Sequence, residues 1–356
     1  MSTQAQTQAA THPIPLLTRW KMVLDGCNIP QIEIADGVTR WLVISRACVF
    51  SMSLTSGLIG LLVAAEQGTV NWLLGLLAVL GVVIAHASNN ILNDWGDVRQ
   101  GVDTEDYPRA QYSTHPILGG LTTPNGLLVA ALILNLADLA IMLFLYSQRG
   151  PTIIYFAVAG LLLSLSYTSF LKKAGLGELT ALLVWGPLMI GGTAFAASGT
   201  LNTSTWILTL PYGLIVASVL VGKHIDKIEA DKKVGVHSVP VLLGRERSLT
   251  LNKVSFILFY LIILALVGFR LTGPWVLVTF FAIGRLRKSW DIYSKPKPKK
   301  APEGFTVWPL WYVSWAMYFN RQAGEFFVVG LLLNIATPYV LDLLNITTPF
   351  IVNLFA

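Results

Sequence analysis

Apolar runs of about the length that crosses a lipid bilayer recur along this chain, at 42–65, 71–93, 126–146, 151–170, 179–198, 206–222, 254–270, 271–286 and 324–344. A spanning helix needs roughly 20 mostly apolar residues, and in lipid every backbone polar group has to be satisfied within the protein. Runs this long and unbroken exclude barrel strands. Only 12% of the residues are charged, about half the share of a soluble domain, and the mean hydropathy is +0.63. A soluble enzyme, a disordered regulator and a disulfide-stapled secreted domain are excluded together. The expected fold is an all-α integral membrane protein of about nine transmembrane helices around a central cavity.

The formal charge of +6 does not point to nucleic acid, because in a membrane protein the placement of Lys and Arg carries the meaning. Arg19, Lys21 and Arg40 precede the first run; Arg99 and Arg109 follow the second; Lys172 and Lys173 follow the fourth. Seven more, from Lys223 to Lys253, follow the sixth, and eight, from Arg285 to Arg321, lie around and after the eighth. The alternate connections hold only Arg149 and Arg270, while Arg46 lies inside the first run. This alternation puts the N-terminus and the even-numbered loops in the cytoplasm. Acidic residues crowd loops 2 and 6 on the same side, so helices 1–4 and 5–8 read as two pseudo-repeated four-helix units whose acidic loops face each other.

Residues 1–40 read as a cytoplasmic tail without the basic n-region of a signal peptide, and residues 41–356 as the membrane domain. Cys27 and Cys48 are too few for a disulfide framework, and neither is assigned a disulfide or a metal. Within 291–322, a stiff basic linker, Lys295-Pro296-Lys297-Pro298-Lys299-Lys300, precedes Trp311, Trp315 and Tyr318 at helical spacing. That pattern predicts an interfacial helix in contact with membrane lipids.

The chemistry gathers in loops 2 and 6. If the second helix continues through loop 2, Asn90, Asp94 and Asp97 share one face at i, i+4 and i+7. Two carboxylates and an amide at a helix end suit a hard cation; magnesium (Mg²⁺) takes one or two carboxylates and leaves its other positions to water and phosphate oxygens. Arg99, Arg109, Lys172, Lys173 and Lys223 would complete a diphosphate site. An ordinary solvated loop, its acids balanced by its bases, fits these residue types equally well. In loop 6, Asp226 and Glu229 share one helical face, and Lys227 and Asp231 form an i, i+4 pair. Tyr167 and Lys172 stand where they could bracket an anion, and Glu178 sits at a helix start, where the dipole favours it.

Three ordered motifs, Asn90-x-x-Asn93-Asp94-x-x-Asp97-x-x-x-Gly101-x-Asp103, the stretch from Tyr167 through Leu171-Lys172-Lys173 to Gly175-Leu176-Gly177-Glu178, and Glu229-x-Asp231-x-x-x-Gly235-x-x-Ser238, resemble the UbiA superfamily of intramembrane prenyltransferases. The likeness is greatest to the 1,4-dihydroxy-2-naphthoate prenyltransferases of menaquinone synthesis. It covers about 40–350 and implies nine helices, Mg²⁺-dependent transfer from an allylic polyprenyl diphosphate to an aromatic acceptor, and an active site facing the cytoplasm of a cell inner membrane. Carried over by position, Asn90, Asp94 and Asp97 would bind the diphosphate through magnesium, joined by Asp231 from the second motif, with Asp103 among the substrate-binding residues. Tyr167 and Lys172 would flank the allylic group, and Arg46 matches the arginine of the first helix. The family's second motif is usually DxxxD, whereas Lys227 stands at its first aspartate here. The resemblance then assigns the missing ligand to Asp226 or Glu229, or gives part of the second metal's charge to Lys227. The spacing from Tyr167 to Lys172 is also shorter than in the naphthoate enzymes.

Two rivals follow. Within the family, the acceptor could be of 4-hydroxybenzoate, homogentisate or chlorophyllide type. Outside it, many helices, an internal repeat and the intramembrane polar residues His86, Asn135 and Asp138 fit a secondary transporter, although transporters place their coupling acids near the midplane.

Overall fold

The computed structural model describes residues 14–29, 34, 36–68 and 70–344, and among these every regular element is helical. In chain order the helices are α1 (Leu16–Gly26), α2 (Gly37–Ile44), α3 (Ala47–Glu66), α4 (Trp72–Arg99), α5 (Pro108–Tyr112), α6 (Pro124–Arg149), α7 (Thr152–Ser166), α8 (Gly177–Ser198), α9 (Thr203–Asp226), α10 (Ile228–Lys233), α11 (Val239–Leu243), α12 (Arg245–Gly268), α13 (Ile283–Tyr293) and α14 (Tyr312–Leu343). Seven of them, α3, α4, α6, α8, α9, α12 and α14, are long and apolar enough to cross a membrane.

Local chemistry explains the ends. Asn71 caps α4 by accepting from the Leu74 amide at 3.1 Å. Thr123 caps α6, with Pro124 at the first helical position where its missing N–H costs nothing. Arg46 has a positive φ of 57° in the turn between α2 and α3, a conformation that a long side chain adopts only when its surroundings enforce it. Pro187 lies inside α8 and cannot supply its backbone donor, and 184–191 widens into a π-helical stretch there. Ser56 Oγ donates to the Trp185 carbonyl of that stretch at 2.7 Å.

Small residues bring the helices together, because apolar side chains gain little from leaving lipid for protein. A Cβ on Gly213 would lie 2.9 Å from the Leu182 carbonyl and 3.0 Å from Gly186, so α8 and α9 touch backbone to backbone. Around α9, α12 and α14 a buried aromatic cluster fills the bundle, with Phe256 set edge-on against Phe319 at 5.0 Å. At the end of the bundle away from Asp94, Glu66 accepts from Thr272, the Gly273 amide and Asn334, tying α3 to α14.

α4 runs unbroken to Arg99, so Asn90, Asp94 and Asp97 share a helical face, while Asp103, Glu105 and Asp106 follow its end. Three readings of the sequence are revised. Part of the supposed tail is α1, whose Val23 packs with Ile29, Ile34 and Val43; residues 1–13 lie outside the described residues, as do 345–356. The aromatic run at 311–318 does not form a separate interfacial helix. It opens α14, and Tyr312, Ala316 and Phe319 are buried in the aromatic cluster. The cysteines are paired: Cys27 and Cys48 form a disulfide with their Cα atoms 5.0 Å apart. The chain doubles back through α2, bringing the end of α1 to the start of α3, a juxtaposition that separation in sequence conceals.

Candidate active site

Asp94 lies fully buried where α4 approaches its C-terminal end. Arg109, brought back by α5, grips it with two parallel bonds, Nε to Oδ1 and Nη2 to Oδ2, both 3.0 Å. Arg46 donates to the same carboxylate from the other side, through Nη2 and, at 3.3 Å, through Nε. One turn along, Asp97 receives Lys172 Nζ on both oxygens at 2.9 Å. Such charge-assisted contacts are the strong ones, and they fix geometry as well as charge.

Asp103 and His115 complete a buried triad with Asp94, one ligand atom from each lying within 4.8 Å of the others. His115 Nε2 is 3.3 Å from Asp103 Oδ2. Burial raises the Asp103 carboxyl, but the His115 bond and the charges of Arg46 and Arg109 outweigh it and hold it below the usual carboxylate range.

The second acidic segment meets the first through Tyr107. Its hydroxyl donates to Asp231 Oδ1 at 2.7 Å and accepts from Lys227 Nζ at 2.7 Å. Lys227 also pairs with Asp231 at 3.3 Å. Burial alone would depress the ammonium of Lys227 and raise the carboxyl of Asp231. Their mutual attraction reverses both, leaving Lys227 raised and Asp231 lowered. Burial pushes the Tyr107 hydroxyl up.

The structure therefore brings together Arg46, Asn90, Asp94, Asp97, Asp103, Arg109, Tyr167, Lys172, Lys223, Lys227 and Asp231, lining or backing a cavity and a smaller pocket that share Arg46, Tyr167 and Lys223. It places four expected residues elsewhere. Lys173 donates to Gln100 Oε1 at 2.9 Å. Asp226 accepts from Lys297 and from the Val313 amide. Glu229 is exposed and pairs with Lys232 at 3.7 Å. Arg99 is exposed and lies 4.8 Å over the ring of Trp95. The side chains at 226 and 227 leave the end of α9 in different directions, and only the lysine enters the site. Glu178 is buried and lies 2.6 Å from His224 Nδ1, so it is a hydrogen-bond partner across the bundle rather than a bare dipole anchor. Sequence reasoning missed Tyr107, His115 and His224; the lone signal for the first two was a titratable residue near an acidic run.

At this charged cluster, the buried atoms Asp231 Oδ2 and Arg109 Nη1 have no hydrogen-bond partner among the described residues. The first is a free acceptor for a cation and the second a free donor for an anionic oxygen. Together with the oxygen-rich set Asp94, Asp97 and Asp103, they fit a magnesium–diphosphate group. Beyond the charged end lies a cavity of about 1020 Å³, lined past Asn90 by Met142, Leu145, Phe156, Leu161 and Leu188.

This is an integral membrane protein with a site of paired carboxylates and fixed cations at one end of an apolar cavity. The UbiA prenyltransferase family matches it over residues 53–317, and the chain belongs to that family. It is an enzyme that transfers prenyl groups. The 1,4-dihydroxy-2-naphthoate octaprenyltransferase of Bacillus subtilis is 25% identical over 320 residues, covering 87% of this chain and 95% of its own. The 4-hydroxybenzoate octaprenyltransferase of Shewanella frigidimarina is 26% identical over 190 residues, 52% of this chain and 61% of its own. The fold matches a UbiA homologue from Archaeoglobus fulgidus solved with GPP and Mg²⁺, with a TM-score of 0.55 at 13% identity over 81% of this chain and 99% of that one. An apo homologue from Aeropyrum pernix K1 matches with a TM-score of 0.58 at 16% identity, over 83% and 98%.

Proposed function

We propose that this protein transfers a polyprenyl group from an allylic polyprenyl diphosphate to an aromatic acceptor of the 1,4-dihydroxy-2-naphthoate type, with magnesium required. The observation that carries the reading is the juxtaposition of the paired carboxylates and buried cations with the mouth of the apolar cavity. The naphthoate acceptor rests on the Bacillus relative, whose match spans most of both chains; a 4-hydroxybenzoate-type acceptor is the nearest variant. We also read 152–171 and 274–293 as shorter spans, making nine helices in two four-helix repeats, with the site facing the cytoplasm of a cell inner membrane.

Asp94, Asp97, Asp103 and Asp231 would hold the magnesium, which when bound neutralises diphosphate charge and stabilises its departure. The chain's own residues do the rest. Arg46, Arg109, Lys172 and Lys227 are held in place before substrate arrives, so they stabilise the leaving diphosphate without reorganising. As the C–O bond ionises, the allylic carbon becomes cationic beside Tyr167 and Asn90. An electron-rich ring carbon of the acceptor forms the new C–C bond there and then loses its proton. The apolar walls keep water from the cation and take the tail.

The test is a mass-spectrometric assay of purified protein in detergent with Mg²⁺, a mixture of allylic diphosphates and a panel of aromatic acceptors. A prenylated naphthoquinol absent from the Asp97→Ala control supports the reading. Prenylation of another acceptor class alone moves the acceptor, and a metal-independent product removes magnesium.

A further inference from the structure

An imidazole, two amides and a carboxylate of α4 form one stripe: His86, Asn90, Asn93 and Asp97 stand at i, i+4, i+7 and i+11. His86, Asn90 and Asn93 line the large cavity, and Asp97 lines the small pocket that adjoins it at Asn93. His86 lies deepest, about 12 Å below Asp94 along the helix axis. It plays no part in the charged cluster, and it is buried.

Its ring is held by a short relay. Trp185 Nε1, which can only donate, gives its proton to Ser53 Oγ at 3.1 Å. Ser53 Oγ lies 2.7 Å from His86 Nδ1, and we assign its single hydroxyl proton to that bond. Nδ1 is the acceptor in this arrangement, so the imidazole proton sits on Nε2. Nε2 has no hydrogen-bond partner among the described residues. Aromatic rings flank the imidazole, Trp185 edge-on at 5.1 Å and Phe50 at 5.7 Å.

A fixed N–H in an apolar, aromatic-walled part of a cavity is a poor place for a base and a good place for an oxygen acceptor. A ligand oxygen seated there gains that N–H as its hydrogen-bond donor. Lys223, whose ammonium also carries no hydrogen-bond or ion-pair partner among the described residues, lines the same space from α9. We infer that His86, oriented by Ser53 and Trp185, is the hydrogen-bond donor of an acceptor subsite for an aromatic hydroxy acid, with Lys223 the counter-charge for its carboxylate. The inference rests on prenyl transfer to an aromatic acceptor, and it names the residues that select that acceptor. A one- or two-ring acid seated between His86 and Asn90 presents a ring carbon toward the allylic end of the donor, with the diphosphate above it at Asp94 and Asp97.

Calorimetric titration of the detergent-solubilised full chain tests this with two separate probes, 1-hydroxy-2-naphthoate and geranyl diphosphate, each in Mg²⁺. In His86→Ala the naphthoate affinity is expected to fall about tenfold or more, the loss of a buried hydrogen bond, with geranyl diphosphate binding unchanged. His86→Gln retains an N–H donor and should recover most of that loss, which a merely structural role for the ring would not produce. In turnover, His86→Ala raises the acceptor KM and leaves the donor KM alone. Unchanged naphthoate binding in His86→Ala overturns the subsite while leaving prenyl transfer standing, and so does equal loss of both ligands in both variants. If the wild-type protein binds geranyl diphosphate but neither 1-hydroxy-2-naphthoate nor 4-hydroxybenzoate, the subsite and the aromatic-acceptor reading fall together.

Discussion

Lys227 Nζ lies 3.3 Å from Asp231 Oδ1, and the hydroxyl of Tyr107 bonds to both. Lys227 thus enters the site as a fixed cation. If Lys227 replaces part of a second metal's charge, Lys227→Asp should bind one more magnesium than the wild type in the presence of a non-hydrolysable allylic diphosphate. Metal counting by mass spectrometry on the desalted complex reads this directly; an unchanged count overturns the replacement. Lys227→Met leaves Asp231 buried without its partner. That variant should lose about 3–5 kcal/mol of stability.

The same pair sets a pH dependence with a definite sign. Asp231 is held below the usual carboxylate range and Lys227 above the usual ammonium range. The Asp231 contribution is complete above about pH 4 and is lost as acid protonates the folded carboxylate. The Lys227 contribution is complete below about pH 10 and is lost as the pH rises through its raised value. Unfolding temperature should therefore be insensitive to this pair between those limits. Lys227→Met should flatten the alkaline fall; a wild-type protein whose stability peaked sharply inside the window would contradict the assignment.

Asp94 is a structural junction as well as a proposed ligand. In Asp94→Asn the guanidiniums of Arg46 and Arg109 lose the carboxylate that both bond, and Asp103 is left as their nearby counter-charge. Stability should fall by about 3–5 kcal/mol, whereas Asp97→Asn, freeing one lysine nearer the mouth, should cost less. Thermal unfolding by tryptophan fluorescence compares the two, and equal stability would show that Arg46 and Arg109 find other partners. Both variants should lose at least about a hundredfold in turnover, the scale of removing one preorganised charge contact.

How legible this was differs by element. The stripe Asn90, Asp94, Asp97 was readable because helical spacing places those residues together whatever else the chain does. Arg46, Arg109 and Lys172 were named as cations of the site, but which carboxylate each one clamps was not readable. Arg109 and His115 reach Asp94 because 100–123 folds back over the end of α4 through α5, and no periodicity encodes such a return. Asp226 and Lys227 looked interchangeable in a charged run, yet the end of α9 sends one toward α14 and the other inward. The disulfide stayed hidden for a similar reason, since α2 alone brings Cys27 beside Cys48.

That disulfide fastens α1 next to the turn that carries Arg46. Arg321 reinforces the junction by donating to the Leu24, Asp25 and Cys48 carbonyls, and Asn28 reaches the Thr306 carbonyl across the cavity mouth. Reduction, or Cys48→Ser, should lower stability by about 2–4 kcal/mol, the range for a closed loop of this order. A maleimide mass shift appearing only after reductant would verify the bond, and an unfolding temperature indifferent to reductant would refute its structural weight.

The apolar end of the cavity gives a separate test of where the prenyl tail lies. Gly160 lines that end, and a Cβ placed on it meets no other atom within 4 Å. Gly160→Phe can therefore enter α7 without backbone clash and fill space beyond the charged site. If the tail runs past α7, the variant should use geranyl diphosphate almost normally and long-chain donors at least about tenfold less efficiently, as expected when a bulky group blocks an apolar pocket. Competition between the two donors in a single reaction measures the ratio without correction for enzyme concentration. An unchanged ratio would route the tail elsewhere, along α6 past Met142.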